Sequence, residues 1–74
     1  MEIQYEYVRV AEDLARQIQA GRIPVGGRLP NERELADEYR VSAGTVRRAV
    51  QELRDRGLVK TLAGKGTFVV AQEG

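Results

Sequence analysis

The sequence predicts an α+β domain in which three helices are followed by a two-stranded β-hairpin. Apolar residues recur every three or four positions in the first part of the chain, and this period shortens to about two after Gly57. Only two residues separate the second predicted helix from the third, so this pair must cross steeply, as in a helix-turn-helix. With 74 residues and no cysteine, we expect a single domain over residues 1–74 with its core at about 5–70. This order of elements predicts a winged helix-turn-helix.

Helix one is predicted over residues 5–20. One face of this helix collects the apolar residues Tyr7, Val8, Ala11, Leu14, Ala15 and Ile18. The opposite face carries the polar residues Glu6, Arg9, Asp13, Arg16 and Gln17. Gly21 follows at the position where a left-handed glycine commonly ends a helix.

Helix two is predicted to begin after a connector at residues 22–30, where two prolines and two glycines interrupt any period. Three apolar residues of this connector are expected to pack against the core: Ile23, Val25 and Leu29. Asn31 is the predicted N-cap, and Glu34 stands at the spacing of a capping box. The helix ends near Tyr39, and its buried stripe is predicted to be Leu35, Ala36 and Tyr39.

Helix three is predicted to begin at the N-cap Ser42 and to end at Gly57. Its apolar stripe has the spacing i, i+3, i+4 and i+7 and consists of Val46, Ala49, Val50 and Leu53. Two β-prone runs follow at residues 58–62 and 67–70, and the glycine-rich residues 63–66 between them predict a hairpin tip. Residues 72–74 are interpreted as a tail.

Composition excludes most enzymatic chemistry. The chain has no cysteine and no histidine, which removes most metal ligands, nucleophiles and general bases, and no paired buried carboxylates are evident. We therefore expect neither an enzyme nor a cofactor. The start of the chain lacks the apolar core of a signal peptide, and no stretch has the length of a membrane span. A cytoplasmic protein without a membrane partner is the expectation.

Charge distribution indicates where a nucleic acid could bind. The net charge is only +1, but residues 41–74 carry six basic and three acidic side chains, and no acid occurs between Tyr39 and Gln51. On helix three, the side opposite the apolar stripe carries Gly44, Arg48, Gln51 and Asp55, with Thr45 and Arg47 beside them. Arginine can bond guanine, glutamine can bond adenine, and the threonine methyl can pack on thymine. Ala43 and Gly44 keep the helix start small enough for a phosphate to approach its N–H groups.

The same side chains could instead form an ordinary solvated helix face, as most charged faces do. The acid-free stretch and the helix-turn-helix spacing together favour DNA binding over this alternative. Carboxylates at Glu52 and Asp55 would limit the DNA-binding face, because phosphates repel them. We interpret Arg54 and Arg56 as balancing local charge and the helix terminus rather than as DNA ligands.

Two further basic residues are candidates. Lys65 lies between two glycines at the hairpin tip, where it could reach a minor groove or its phosphates. Arg33 lies in the first turn of helix two, where it could reach the phosphate backbone or pair with Asp37 four residues later. Residue type alone does not distinguish these two roles of Arg33.

From Tyr7 to Val70, the chain resembles the N-terminal domain of the GntR family of bacterial transcription regulators. The matching segments are Gly21 with Ile23, Gly26, Arg28-Leu29-Pro30, Glu32-Arg33-Glu34-Leu35-Ala36, Val41-Ser42, Thr45-Val46-Arg47 with Ala49, Leu53, Gly57-Leu58-Val59 and Gly64 with Gly66-Thr67-Phe68-Val69. The resemblance implies DNA contacts from Arg33, from Ser42, Thr45 and Arg47 in the recognition helix, and from Gly64, Lys65 and Gly66 in the wing.

Several positions depart from the pattern of the family. An arginine that commonly contacts DNA is replaced by Ala43, and a common turn glycine is replaced by Arg40, which could supply a compensating phosphate contact. Asn31 stands where serine is usual, and Val25 where proline is usual. The change at position 43 affects the base specificity that the resemblance implies.

The resemblance also implies how the chain is used. Family members typically carry a larger C-terminal domain that binds a small effector and forms a dimer, so we expect this chain to be a fragment without that domain. The predicted partner is a palindromic operator in double-stranded DNA, bound by a homodimeric repressor, with the fragment itself monomeric and the effector bound only by the absent domain. A winged helix can alternatively be a protein-interaction module, which would need an exposed apolar patch on helix three or on the wing.

Overall fold

The computed structural model describes residues 5–72 and contains three helices followed by a hairpin. The helices are α1 (Glu6–Gln19), α2 (Glu32–Tyr39) and α3 (Ala43–Asp55), and the strands are β1 (Val59–Leu62) and β2 (Gly66–Val69). The strands are antiparallel, with Val59 opposite Val69 and Thr61 opposite Thr67. The predicted winged helix-turn-helix is therefore confirmed. Residues 1–4 of the predicted domain and residues 73–74 of the predicted tail lie outside the described residues.

The connector between α1 and α2 pairs with strand β2 of the hairpin through an isolated β-bridge. Arg28 forms a bridge with Phe68, and the N–H groups of Gly26 and Leu29 donate to the carbonyls of Val69 and Thr67, each at 2.8 Å. The prolines and glycines of the connector interrupt the alternation of apolar and polar residues that predicts a strand, so the sequence does not indicate this pairing. The connector thereby fixes the base of the wing beside the start of α2.

One residue of the connector contradicts the predicted packing. Leu29 is buried as expected and Ile23 packs partly against the core, but Val25 is 65% exposed. It lies in a turn in which the Gly27 N–H donates to the Pro24 carbonyl at 2.8 Å, and this turn points away from the core. A Cβ at Gly27 would lie 2.7 Å from that carbonyl, so the turn requires glycine.

The helix ends follow the sequence closely. The Asn31 side chain accepts from the Glu34 N–H at 2.8 Å, and the Glu34 side chain accepts from the Asn31 N–H at 3.1 Å, which confirms the capping box. Gly21 and Gly57 end α1 and α3 with φ of 79° and 74°. Beyond α3, the hairpin loop is one residue shorter than predicted because Gly66 pairs with Leu62 within the sheet.

All three helices and both strands contribute to the core. The largest fully buried side chains are Leu14, Leu35, Leu53, Val10 and Val46. Val10 was absent from the predicted stripe of α1, although it lies three residues after Tyr7 and four before Leu14 and therefore shares their face. Tyr7 and Val8 are only half-buried, which places them at the edge of this stripe.

A polar cluster joins α1 to α2 at the edge of the core. The Tyr39 hydroxyl donates to Asp13 Oδ2 at 2.5 Å, and Gln17 Nε2 donates to the same oxygen at 3.0 Å. Asp13 and Gln17 belong to the predicted polar face of α1, and both are half-buried because Tyr39 of α2 contacts them. The hydrogen bond from Tyr39 lowers the pKa of Asp13, while burial raises the pKa of Tyr39 above its usual value.

The turn between α2 and α3 contains a left-handed arginine. Arg40 has φ 57° and ψ 49°, and it is the one non-glycine residue with positive φ between residues 5 and 72. The N–H groups of Arg40 and Val41 both donate to the Ala36 carbonyl, so α2 ends in this turn. A side chain in this conformation costs roughly 1 kcal/mol relative to glycine.

We expect Tyr39→Phe to lower the free energy of unfolding by about 1 kcal/mol near pH 7, because Asp13 loses its main donor. The folded state lowers the pKa of Asp13, so this stabilisation exists above the usual aspartate pKa and is lost as the carboxylate becomes protonated. Urea denaturation should therefore show a difference between wild type and variant that shrinks below about pH 4. Tyr5→Phe, at an exposed tyrosine, is the control. A difference that is constant with pH would contradict the role of the Asp13 charge.

We expect Arg40→Gly to leave stability unchanged or to raise it by up to about 1 kcal/mol, because glycine accepts the left-handed conformation without strain. Arg9→Gly, at an exposed position inside α1, is the matched control and should cost about 1 kcal/mol. Thermal denaturation of both variants and of the wild-type chain measures the two changes in stability. If Arg40→Gly lowers stability as much as Arg9→Gly does, the turn does not favour glycine.

Candidate nucleic-acid interface

The recognition helix α3 begins with a well-formed cap. Ser42 Oγ accepts from the Thr45 N–H at 3.1 Å and donates to Thr45 Oγ1 at 3.0 Å. The predicted N-cap is confirmed, and part of the hydrogen-bonding capacity of Ser42 and Thr45 is used within the helix start. Gly44 is exposed, and a Cβ there would meet only Ser42 Oγ at 3.9 Å. Together with half-buried Ala43, it leaves an uncrowded surface at this end of α3.

Arg47 is joined to helix α2 by an ion pair. Its Nε lies 3.0 Å from Glu32 Oε2, and its side chain remains 68% exposed. An exposed pair of this kind contributes only about 0.2–1 kcal/mol to stability, so Arg47 can leave it at low cost. The acid-free stretch of the sequence therefore has a carboxylate beside it in space, supplied by the preceding helix.

Arg48 lies against an aromatic ring from α1. Its guanidinium carbon is 4.4 Å from the centroid of the Tyr7 ring, within the range of a cation–π contact. Tyr7 in turn stacks with Tyr5, with ring centroids 6.0 Å apart. Tyr7 belongs to the predicted core stripe of α1, but its half-exposed ring at the edge of that stripe is available to an arginine from another helix. Arg47 thus contacts α2, whereas Arg48 contacts α1.

Gln51 has both ends of its amide engaged. Its Oε1 accepts from Arg54 Nη2 at 2.7 Å, and its Nε2 donates to Asp55 Oδ1 at 2.9 Å. Bonding to adenine would need both atoms at once. One N–H and one lone pair of the amide remain, but the bonds to Arg54 and Asp55 restrict the directions in which they point.

Arg54 has a role that the sequence did not reveal. In addition to Gln51, it donates from Nη1 to Thr61 Oγ1 at 2.7 Å and so links α3 to β1. Arg56 binds Glu12 and Glu52, and these bonds raise the pKa of Arg56 and lower that of Glu12. The prediction of local charge balance therefore describes Arg56, but it leaves out the contact of Arg54 with the wing.

The remaining candidate arginines lie on α2 and in the turn after it. Arg33 is exposed, and within residues 5–72 it forms no ion pair with Asp37, so the intrahelical alternative is not realised. Arg40 is exposed as well. Both side chains are therefore free to contact a ligand of opposite charge.

The wing presents its lysine on a three-residue loop. Lys65 is exposed, and its backbone N–H donates to the Leu62 carbonyl at 2.9 Å. Gly64 has φ 73°, and Gly66 has φ 127°. Among the described residues, no large exposed apolar side chain lies on α3 and one, Leu62, lies on the wing, which is not the patch that a protein-interaction module would need.

Residues 5–72 lack two features, a cluster of metal ligands and a helix that could span a membrane. No group of three or more carboxylate, cysteine or histidine side chains in this range could hold a metal ion. Among the helices of the same range, none is long and apolar enough to cross a membrane.

Several bacterial regulators are similar in sequence. The regulator SmoD of Agrobacterium fabrum is 37% identical over 65 residues, which cover 88% of this chain and 28% of SmoD. The transcriptional repressor NagR of Bacillus subtilis is 41% identical over 63 residues, covering 85% and 26% of the two chains. The histidine utilization repressor of Pseudomonas aeruginosa is 40% identical over 68 residues, covering 92% and 27%. The chain thus spans about a quarter of the length of these relatives.

Solved structures of DNA-binding domains have the same fold. The DNA-binding domain of AraR, crystallised in complex with operator ORR3, is 33% identical, with a TM-score of 0.88, over 93% of this chain and 83% of that chain. The N-terminal domain of AraR in complex with a mutant of the same operator gives a TM-score of 0.90 at 33% identity and covers 95% and 100%.

The family described as bacterial regulatory proteins, gntR family, matches residues 6–69. Its members are regulators, in agreement with the expectation of a protein that is not an enzyme. The matched range contains every element of the fold and all the candidate residues considered above. The chain belongs to the GntR family of bacterial regulatory proteins.

Proposed function

We propose that this chain binds double-stranded DNA sequence-specifically, as the DNA-reading domain of a bacterial transcription regulator. The observation that carries the proposal is the exposed surface of α3, with Arg47 and Arg48 beside a lysine-tipped wing, in a fold that matches a domain crystallised on an operator. In a helix-turn-helix, the N-terminal part of the second helix enters the major groove. Here that part consists of small and basic residues.

The contacts of each side chain support a division of roles. Thr45 and Arg47 are assigned to base reading, because they lie in the first turns of α3 and, within residues 5–72, only an exposed ion pair holds Arg47. Arg48 is assigned to a phosphate on the α1 side, where Tyr7 holds it. Gln51 is the weakest base-reading candidate because bonds to Arg54 and Asp55 already fix the direction of its amide.

The phosphate contacts are assigned to the periphery of α3. Arg33 and Arg40 reach out from α2 and from the turn, and Lys65 reaches out from the wing. The start of α3 at Ser42, Ala43 and Gly44 offers N–H groups to a phosphate. Gly64 and Gly66 keep the wing thin enough to enter or follow a minor groove.

For the whole protein we propose a homodimeric repressor that binds a palindromic operator and carries a further effector-binding domain. Two of the relatives are named repressors, and the relatives are about four times as long as the matched segment. Two half-sites bound by one dimer would raise affinity well above that of a single domain.

We expect this 74-residue chain to bind duplex DNA weakly and with steep salt dependence, because one helix and one wing neutralise only a few phosphates. Fluorescence anisotropy with a labelled mixed-sequence duplex should show at least a roughly tenfold loss of affinity between about 50 and 200 mM salt. A polyglutamate peptide of similar charge is the control for unspecific attraction. Micromolar binding that does not change with salt would count against an electrostatic interface with DNA.

We expect Arg47→Ala and Lys65→Ala to weaken DNA binding in different ways. Loss of a base contact at Arg47 should cost about 1–3 kcal/mol on an operator selected from random duplexes and much less on a scrambled duplex. Loss of a point charge at Lys65 should weaken both duplexes alike and flatten the salt slope by roughly one unit.

Both variants are to be measured on both duplexes at two salt concentrations. Arg22→Ala, at an exposed arginine in the connector, is the control for a simple change of charge. Equal weakening of both duplexes by Arg47→Ala would make Arg47 a phosphate contact and remove its base-reading role.

A further inference from the structure

A groove of about 270 Å³ lies between α3, the wing and the start of α2. Apolar side chains, among them Leu29, Leu35 and Val50, form part of its lining. Three arginines also line it, namely Arg28 from the connector, Arg47 and Arg54 from α3. Three guanidinium groups within this partly apolar lining can bind an anion through charge-assisted hydrogen bonds.

Arg54 faces this groove with donors to spare. A guanidinium carries five N–H donors, and the contacts of Arg54 with Thr61 and Gln51 use two of them. The Thr61 and Thr67 hydroxyls lie 2.8 Å apart and share one hydrogen bond. Two hydroxyls carry two protons, so one O–H donor of this threonine pair remains available at the wall of the groove.

Arg28 lies along the opposite edge of the wing. A Cβ at Gly66 would be 2.7 Å from Arg28 Nε, so the arginine side chain occupies the space that the glycine leaves open. Arg28 is exposed and forms no ion pair or side-chain hydrogen bond with any other residue in the range 5–72. The bridge between Arg28 and Phe68 fixes the backbone at this point.

The charges of the groove do not cancel. The acidic side chain in its lining is Glu32, and this carboxylate is paired with Arg47. Arg28 and Arg54 therefore remain as two positive charges without an acidic partner among the described residues. The groove has more donors and more positive charge than its own contacts use.

We propose that this groove binds a backbone phosphate of the duplex, with Arg28, Arg54 and the Thr61–Thr67 pair as its donors. The inference rests on the proposed function. If α3 occupies the major groove and the wing follows the adjacent minor groove, the DNA strand that separates the two grooves must pass between α3 and the wing. The phosphodiester of that strand is then the anion closest to the unpaired arginines.

The test uses Arg28→Gln, Arg54→Gln and the double variant, with a labelled mixed-sequence 20-base-pair duplex as the probe. Each single variant should weaken binding about fivefold and flatten the salt slope. Because both arginines bind one phosphate, the double variant should lose less than the product of the two single losses. Replacing both threonines, in Thr61→Val with Thr67→Val, should weaken binding about twofold at an unchanged salt slope, since it removes the hydroxyl donor but no charge.

Arg22→Gln is the matched control, because it removes an exposed arginine outside the groove. Thermal denaturation of every variant verifies that the fold is intact. Losses from Arg28→Gln and Arg54→Gln that equal that of Arg22→Gln, or that multiply fully in the double variant, would overturn the phosphate site. Failure of the wild-type chain to bind the duplex would overturn the proposed function itself, and the two failures are therefore distinct.

Discussion

The burial of one stripe of α3 against α1 determines which side chains of α3 face the solvent. Val46, Ala49 and Leu53 are completely buried, so the rotation of α3 about its axis is fixed by the core. A rotation by one residue would expose an apolar side chain and bury a charged one, each at a cost of several kcal/mol. Arg47 and Arg48 point outward because the core fixes the rotation of α3. No further interaction is needed to orient this helix toward a ligand.

The angle between α2 and α3 depends on a second constraint, the short turn. Arg40 closes α2 in a left-handed conformation, and Ser42 opens α3 with its cap only two residues later. The crossing of these helices brings Glu32 to Arg47, because the start of α2 then lies beside the second turn of α3. The polar cluster of Tyr39 and Asp13 holds the other end of α2 to α1. Both ends of α2 are therefore tied down by side chains at the edge of the core.

The sequence predicted what depends on local patterns and missed what depends on distant contacts. The capping box at Asn31, the glycines that end α1 and α3 and the inward stripe of α3 are encoded by neighbours along the chain, and all of them were found. The contact of Arg48 with Tyr7 joins residues 41 positions apart, and no pattern within one helix contains it. The predicted burial of Val25 is wrong because apolar character alone does not fix burial, and the turn held by Gly27 directs this side chain outward. The hydrogen bonds of Gln51 were missed because a helical wheel shows directions and not partners.

These internal contacts change how the arginines of the interface should be understood. Arg47, Arg48 and Arg54 each have a partner in the free protein, and a held side chain loses less conformational freedom on binding than a free one. The partners differ in consequence. Tyr7 is uncharged and can keep its contact with Arg48 when a phosphate binds. Glu32, beside Arg47, is a carboxylate and repels any phosphate that approaches that arginine. If Arg47 reads a base as we propose, its bond to the correct base edge must offset the repulsion between Glu32 and the phosphates. An arginine paired in this way would contribute more to discrimination between sequences than to total affinity.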